Sequence, residues 1–241
     1  MQTTNHTVLV TGGTAGIGLA LAKQFHRAHN RVIVTGRNAA KFAALQAEFP
    51  AWSFEQADMS DLSALDHLAQ AYPQISVLIN NAGVQYNYEL PDASVPAHVI
   101  SEEIQTNLIG PMYLTKRMLP QLLAKPHAAI VNVTSSLSVM PKQNAATYSA
   151  SKAGLHMFTK ALRWQLEETS VKVFELIPPL VDTAMTTGRG RGKISAEALA
   201  TEFWGAFAAD VPEIRIGLAK QLLRLHRVLP NIVEQRMRRG A

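Results

Sequence analysis

A doubly wound α/β fold with a parallel sheet is what this chain of 241 residues predicts. Three observations carry that expectation. Short apolar, β-branched runs alternate with long segments of helical periodicity along most of the chain. The runs are apolar almost without interruption, as strands buried on both faces must be. A glycine-rich turn follows the first run directly and opens the first helical segment. Alternation of this kind gives right-handed crossovers and a sheet covered by helices on both sides, the Rossmann arrangement.

The expected strands are Thr7–Thr11, Arg31–Thr35, Trp52–Ala57, Val77–Asn80, Ala129–Thr134 and Val171–Ile177. Helices are expected over Ile17–Ala28, Asn38–Phe49, Leu62–Ala71, Ile100–Leu123 and Tyr148–Glu168. Gln85–Val99 and the glycine-rich Thr186–Ile194 read as irregular. With no linker and no internal repeat, residues 1–241 are expected to form one domain. Composition agrees: 47% apolar and 17% charged residues exclude a disordered or collagen-like chain. Cysteine is absent, so disulfides and thiolate chemistry are excluded and no metal site is expected. The start, MQTTNH, does not read as a signal peptide, and no apolar run approaches the ~18 residues of a membrane span. A cytoplasmic protein is expected.

The net charge of +5 is uneven. Residues 1–187 hold 13 basic and 13 acidic side chains, whereas residues 188–241 hold 10 and 5. A basic end on a neutral body indicates a local feature.

The glycine turn is the first chemical motif. Gly12, Gly16 and Gly18, with Thr14, Ala15 and Ile17 between them, lie where a strand meets a helix. Glycine permits the tight turn and the approach of a pyrophosphate, and the helix start offers free N–H groups. After the second strand stand Gly36, Arg37 and Asn38. An acid here would hold the ribose hydroxyls of NAD; Arg37 instead offers a guanidinium to a 2′-phosphate, which favours NADP. Ala15 withholds a second charge, so NAD stays the alternative.

Tyr148 and Lys152 stand four residues apart at the start of a helical segment and so share a face. A free phenol, with a pKa of about 10, is a poor proton donor or acceptor at neutral pH. An ammonium nearby favours the phenolate and lowers that value. Alone, the pair is a frequent coincidence. Here Ser135 lies thirteen residues before Tyr148 at a strand end, Asn80-Asn81-Ala82-Gly83 ends another strand, and Asn107 stands inside a long helical segment.

With these five motifs in this order, the chain resembles the short-chain dehydrogenase/reductase family, in its compact single-domain branch, over about residues 7–185. The resemblance implies a hydride transfer between NADP, or NAD, and a small-molecule carbonyl/alcohol pair. It implies that Tyr148 is the acid/base and that Lys152 binds the nicotinamide ribose and lowers the tyrosine pKa. Ser135 matches the serine that bonds the substrate oxygen, and Asn107 the asparagine that holds a water in a proton relay. Asp58, with Met59 beside it, matches an adenine contact, and Asn81, Ala82 and Gly83 match the adenosine side. Pro178, Val181 and Thr183 match the stretch that holds the carboxamide. The family usually has Pro-Gly where this chain has Pro178-Pro179, which stiffens that loop and removes an N–H. The Pro-Pro-Leu-Val-Asp-Thr pattern resembles the DltE-like bacterial subgroup.

In this fold a variable segment closes the substrate pocket, here residues 184–215, with Gln85–Val99 opposite. Tyr86, Tyr88, Met185, Phe203, Trp204 and Phe207 are candidate walls, with ordinary core packing the competing reading. The family habit implies a homodimer or homotetramer through Ile100–Leu123 and Tyr148–Glu168. A non-catalytic dinucleotide-binding sensor is the rival reading, disfavoured because the Asn–Ser–Tyr–Lys set is complete. Nucleic acid is disfavoured too, since no aromatic-interleaved basic patch is present. Thr186–Ile194, with three glycines and three cations, is a candidate lid over the cofactor or an acidic substrate. Residues 214–241 read as a basic helical appendage. Its apolar face is Ile214, Leu218, Leu222, Leu225 and Leu229, broken at Pro230. Packing of that face on the body or a second subunit is favoured over contact with an anionic membrane surface.

Overall fold

Seven parallel strands form one sheet in the order β3-β2-β1-β4-β5-β6-β7 in the computed structural model, which describes residues 1–190 and 192–238. Arg191 of the expected lid and Arg239 of the basic terminus lie outside the described residues. The strands are β1 Thr7–Val10, β2 Arg31–Gly36, β3 Ser53–Gln56, β4 Val77–Asn80, β5 Ala128–Val133, β6 Val171–Ile177 and β7 Glu213–Arg215. The helices are α1 Gly16–Arg27, α2 Ala40–Glu48, α3 Leu62–Ala71, α4 His98–Ile104, α5 Gly110–Leu123, α6 Ala146–Gln165, α7 Ala196–Ala208, α8 Leu218–Val228 and α9 Pro230–Arg238.

The strands are apolar throughout because alternate residues feed two cores. Val8, Val10, Val32, Val34, Val77 and Ile79 face one side, where α1 and α7 pack through Phe25, Phe203 and Phe207. The Phe25 and Phe207 rings meet edge-on, their centroids 5.6 Å apart. Leu9, Ile33, Leu78 and Ile130 face the other side, with Leu65 of α3, Leu114 and Met118 of α5 and Leu162 of α6. Phe203 and Phe207 are thus fully buried core, not pocket walls. Polar side chains stitch the sheet to its helices. The Asn80 amide donates to Asn132 Oδ1 (2.8 Å) and Thr115 Oγ1 (3.1 Å), and Asn132 donates to Thr159 Oγ1 (2.8 Å). Buried amides must be satisfied in this way. The order reverses between β1 and β4, so a crevice opens there at the carboxyl ends of the strands, where such sheets bind ligands.

Two elements depart from the sequence reading. The segment Ile100–Leu123 is not one α-helix: α4 begins at His98, and a π turn over Gln105–Ile109 separates it from α5. At its end a Cβ on Gly110 would meet the Met59 carbonyl at 2.3 Å, so the chain closes in against β3's exit only because that residue is glycine. The second departure is at the carboxyl end. Ile214 belongs to β7, paired in parallel with β6, and not to a helix face. Three residues are too few to give a strand signature. Helix begins only at Leu218, after Gly217 at φ 51°. That entry rotates α8 so that Ala219 and Leu223 are buried while Leu218, Leu225 and Leu229 stay exposed. Leu223 and Val233 of α9 close a small third core with Met140 and Ile177. Pro230 does break the helix, and α9 starts on it.

Candidate active site

The crevice is a cleft of about 390 Å³. One end is the glycine turn. α1 starts behind Ala15, whose side chain offers no cap, and its first turn carries no acid, so its leading N–H groups face the cleft unpaired by side chains. Gly16, at φ 54°, needs its missing Cβ. Gly18 is needed for a different reason: a Cβ there would lie 2.4 Å from both the Asn81 amide nitrogen and the Gly12 carbonyl. Asn81 in turn donates to Thr11 O (2.9 Å) and holds the β4 exit against the turn. This cradle suits a dinucleotide phosphate: open N–H groups, close backbone approach and no opposing carboxylate.

Of the expected cofactor-side residues, Gly12, Thr14, Ala15, Gly16, Ile17, Arg37, Asn38, Asp58, Met59, Asn81, Ala82, Gly83, Pro178 and Thr183 all line the cleft. Two do not. Gly18 lies beneath the cradle, and Val181 points into the core at 3% exposure. Arg37 is not the lone cation of its loop, because Lys41 lines the same end of the cleft. The Arg37 guanidinium bonds Glu102 at 3.3 Å and stands 3.9 Å from Asp58. Lys41 falls on the first turn of α2, four residues beyond Arg37; that spacing was the available signal.

At the other end α6 presents Tyr148 and Lys152, both buried. Lys152 Nζ donates to Val133 O at 2.9 Å and stands 5.8 Å from the Tyr148 ring centroid. Burial pulls its pKa down to about 8. Burial also pushes the Tyr148 phenol up to about 12, against the opposing effect of a hydrogen bond with Ser135. The expected lowering is therefore not the net result in this pocket: desolvation outweighs every favourable charge. Glu103, fully buried on α4, adds to the rise, and Arg189 works against it.

Ser135 begins the turn beyond β5 and accepts from Leu137 N–H at 3.1 Å, which fixes its hydroxyl. Asn107 sits in the π turn, fully buried, with its amide spent on structure. Its Oδ1 accepts from Val84 N–H and its Nδ2 donates to Val84 O, both at 2.8 Å, and to Ser151 Oγ at 3.1 Å. The side chain thus clamps the Gly83–Val84 strand exit. The π turn supplies the extra residue that aims it there. Neither Ser135 nor Asn107 lines the cleft surface; Thr134 and Thr106 do.

Residues 181–194 fold over the cleft mouth. Val181 and Ile194 form a bridge, Lys193 Nζ donates to Thr186 O at 2.7 Å, and Ala184 and Met185 face the cleft. Tyr86 stands at Glu102, and Tyr88 is tied to Thr147; neither lines the cleft. Among the described residues no cluster of His, Asp or Glu could hold a metal, and no helix is long and apolar enough to cross a membrane.

Comparison with known proteins agrees with this geometry. A family model described as short chain dehydrogenase matches residues 6–193. The oxidoreductase DltE of Bacillus subtilis is 41% identical over 189 residues, covering 77% of this chain and 75% of the relative. The NADP-dependent 3-hydroxy acid dehydrogenase YdfG of Escherichia coli is 33% identical over 184 residues, covering 72% of each. In fold, the chain matches a short chain dehydrogenase from Burkholderia cenocepacia, solved in complex with NADP, with a TM-score of 0.90 over 98% of this chain and 99% of that one, at 23% identity. The chain belongs to the short-chain dehydrogenase family of oxidoreductases and falls with its DltE-like members.

Proposed function

We propose that this protein is an NADP-dependent oxidoreductase that interconverts a carbonyl and a secondary alcohol, with Tyr148 as acid/base. The observation that carries the reading is the meeting, in one cleft, of the open glycine cradle and the buried Tyr148–Ser135–Lys152 group. Gly12, Gly16 and the start of α1 would hold the pyrophosphate, Arg37 and Lys41 the 2′-phosphate, and Lys152 the nicotinamide ribose. NADP, when bound, supplies the hydride that a reduction needs.

The chain's own residues do the rest. Ser135 donates to the substrate oxygen and steadies the negative charge that grows on it. Tyr148 gives that oxygen its proton in reduction and takes it in oxidation. A phenol held near 12 keeps its proton, so this site favours the donating direction. Lys152, held near 8, is the group whose proton is easily shared, and it replenishes the phenol. Asn107 keeps Gly83 and Val84 clear of that path. A Cβ on Gly83 would stand 3.0 Å from Asn107 Oδ1 and 3.6 Å from Lys152 Nζ, inside the same space.

NADP over NAD is supported by the two cations at the end of β2 and by the printed cofactor of the YdfG relative. The test is Tyr148→Phe, followed by nicotinamide absorbance with a panel of ketones and by cofactor titration. Turnover is expected to vanish with NADPH binding kept. Turnover at the wild-type rate would overturn the reading, and a wild type that binds cofactor without turning over any carbonyl would favour the sensor.

A further inference from the structure

Arg189 has no part in the hydride-transfer machinery, yet the fold aims it inward. It stands between Gly188 at φ 74° and Gly190 at φ 59°, two left-handed residues that reverse the chain on either side of it. Its Nη1 is shut away from solvent and has no hydrogen-bond partner. A guanidinium is permanently charged and carries five N–H donors, so leaving one buried and unpaired is costly. The acid of its own loop, Asp182, does not serve it: Lys193 stands 3.5 Å from that carboxylate.

The loop that carries it is not free to swing. Asp182 N–H donates to Ile194 O at 2.9 Å, Ile194 N–H to Leu180 O at 3.2 Å, and Arg189 N–H to Thr186 O at 3.0 Å. Met185 of the same loop lines the cleft with Tyr148. The guanidinium is close enough for its charge to act on the phenol. A cation has thus been placed beside the proton donor, on the side away from the glycine cradle, with a donor left open. The acid that also acts on the phenol, Glu103, accepts from the Tyr86 N–H at 2.8 Å, and burial and the Glu102 charge hold its carboxyl above the usual range. It is a poor competitor for Arg189.

We propose that Arg189 anchors a carboxylate on the substrate, so that the enzyme takes oxo acids and hydroxy acids in preference to neutral ketones and alcohols. The proposal rests on the hydride-transfer reading above and adds the substrate class to it. A guanidinium and a carboxylate match in a two-bond fork. The open donor would be satisfied by the substrate and by nothing the described chain provides.

The test compares 2-oxobutanoate, 3-oxobutanoate and 4-oxopentanoate with their methyl esters, under NADPH, in the wild type, Arg189→Gln and Arg189→Lys. The series moves the carboxylate outward along the chain; the esters keep the shape and remove the charge. In the wild type at least one acid is expected to exceed its ester in kcat/KM. In Arg189→Gln that acid is expected to lose about ten- to hundredfold, mostly in KM, while the ester changes little. Arg189→Lys should recover part of the loss, and NADPH affinity, measured by fluorescence titration, should be the same in all three. Esters turned over as well as acids, or a preference for acids that survives Arg189→Gln, would overturn the anchor and leave hydride transfer standing. So would a weakened NADPH affinity in Arg189→Gln, which would assign the cation to the cofactor. Turnover of neither acids nor esters by a cofactor-binding wild type would overturn the anchor and the hydride-transfer reading together.

Discussion

Single residues decide cofactor choice and proton transfer. Arg37 and Lys41 give the 2′-phosphate pocket two cations, but Arg37 is shared with Glu102 and Asp58. Removing either cation therefore tips the balance. Arg37→Asp is expected to shift the ratio of kcat/KM for NADPH over NADH by about tenfold or more toward NADH, because it adds a third carboxylate where a phosphate must sit. A ratio unchanged by the variant would show that Lys41 alone reads the phosphate. Lys152→Met tests the proton path. The methionine keeps the length of the side chain and removes both the charge and the donor to Val133 O. We expect turnover to fall about a hundredfold or more. We also expect the pH–rate profile to lose the ionisation near 8 that burial gives this lysine. A profile that keeps that ionisation would assign it to another group. Arg37, Tyr148 and Lys152 were all legible in the sequence, because a motif fixes each by spacing. The direction of the Tyr148 shift was not. It depends on how deeply the phenol is buried and on Glu103, a residue no motif marks.

At the scale of elements, the sheet and its two layers were legible because strands buried on both faces leave a strong apolar signature. What escaped was local. The π turn at Gln105–Ile109 has the same composition as the helix around it, and only packing against Val84 and Met59 makes it necessary. β7 escaped because three residues carry no period. Another hidden link lies behind Ser135. The buried Glu175 of β6 accepts from Thr134 Oγ1 at 2.6 Å and from His156 Nδ1 at 2.9 Å, so α6, β6 and the end of β5 are tied through one carboxylate. The Glu175 hydrogen bond and charge hold the His156 pKa above its ordinary value of 6.5. A pKa raised by folding means that the folded state binds the proton more tightly. The stabilisation is full below about 6.5, the unfolded value, and fades as pH rises through the folded one. His156→Gln is thus expected to cost more stability near pH 5.5 than near pH 8.5, each about one pH step or more beyond the unfolded value. Urea unfolding of both proteins at both pH values would check it; an equal cost at each would show that the imidazole acts as a neutral partner only.

The whole molecule is a dinucleotide cleft held from behind. α8 and α9 do not touch the cleft, but Leu223 and Val233 pack on Met140, in the stretch after Ser135, and on Ile177, the residue before Pro178. The carboxyl end is thus a buttress for the two segments that meet the substrate oxygen and the nicotinamide. This explains why the exposed leucine stripe, so prominent in the sequence, is not the face that packs: Gly217 sets the rotation, and Met140 and Ile177 accept the face that results. A second surface has no such account within one chain. Met157 and Trp164 of α6 are more than half exposed, and Met112 of α5 is exposed too. A pair of large apolar residues open on one helix is a feature of interfaces. We expect a homodimer or homotetramer through α5 and α6, to be read by light scattering on a sizing column, with Trp164→Glu lowering the assembly.

These two surfaces make opposite predictions for the same kind of substitution. Leu223→Ala removes most of a side chain that is 6% exposed in a small core, and deletions of this kind cost about 2–5 kcal/mol. Its third core holds four buried residues, so few neighbours remain to fill the gap. Because that core supports the Ser135 and Pro178 segments, the loss should appear twice: as a lower urea midpoint, and as a higher KM for NADPH at temperatures where the protein is still folded. Leu225→Ala, two residues on but half exposed, should change neither by a measurable amount. If Leu225→Ala proved as costly as Leu223→Ala, the stripe of exposed leucines would have to be covered in solution, and the carboxyl-terminal helices would join α5 and α6 as an assembly surface. If Leu223→Ala lowered stability and left KM untouched, the buttress would serve the fold alone and not the cleft.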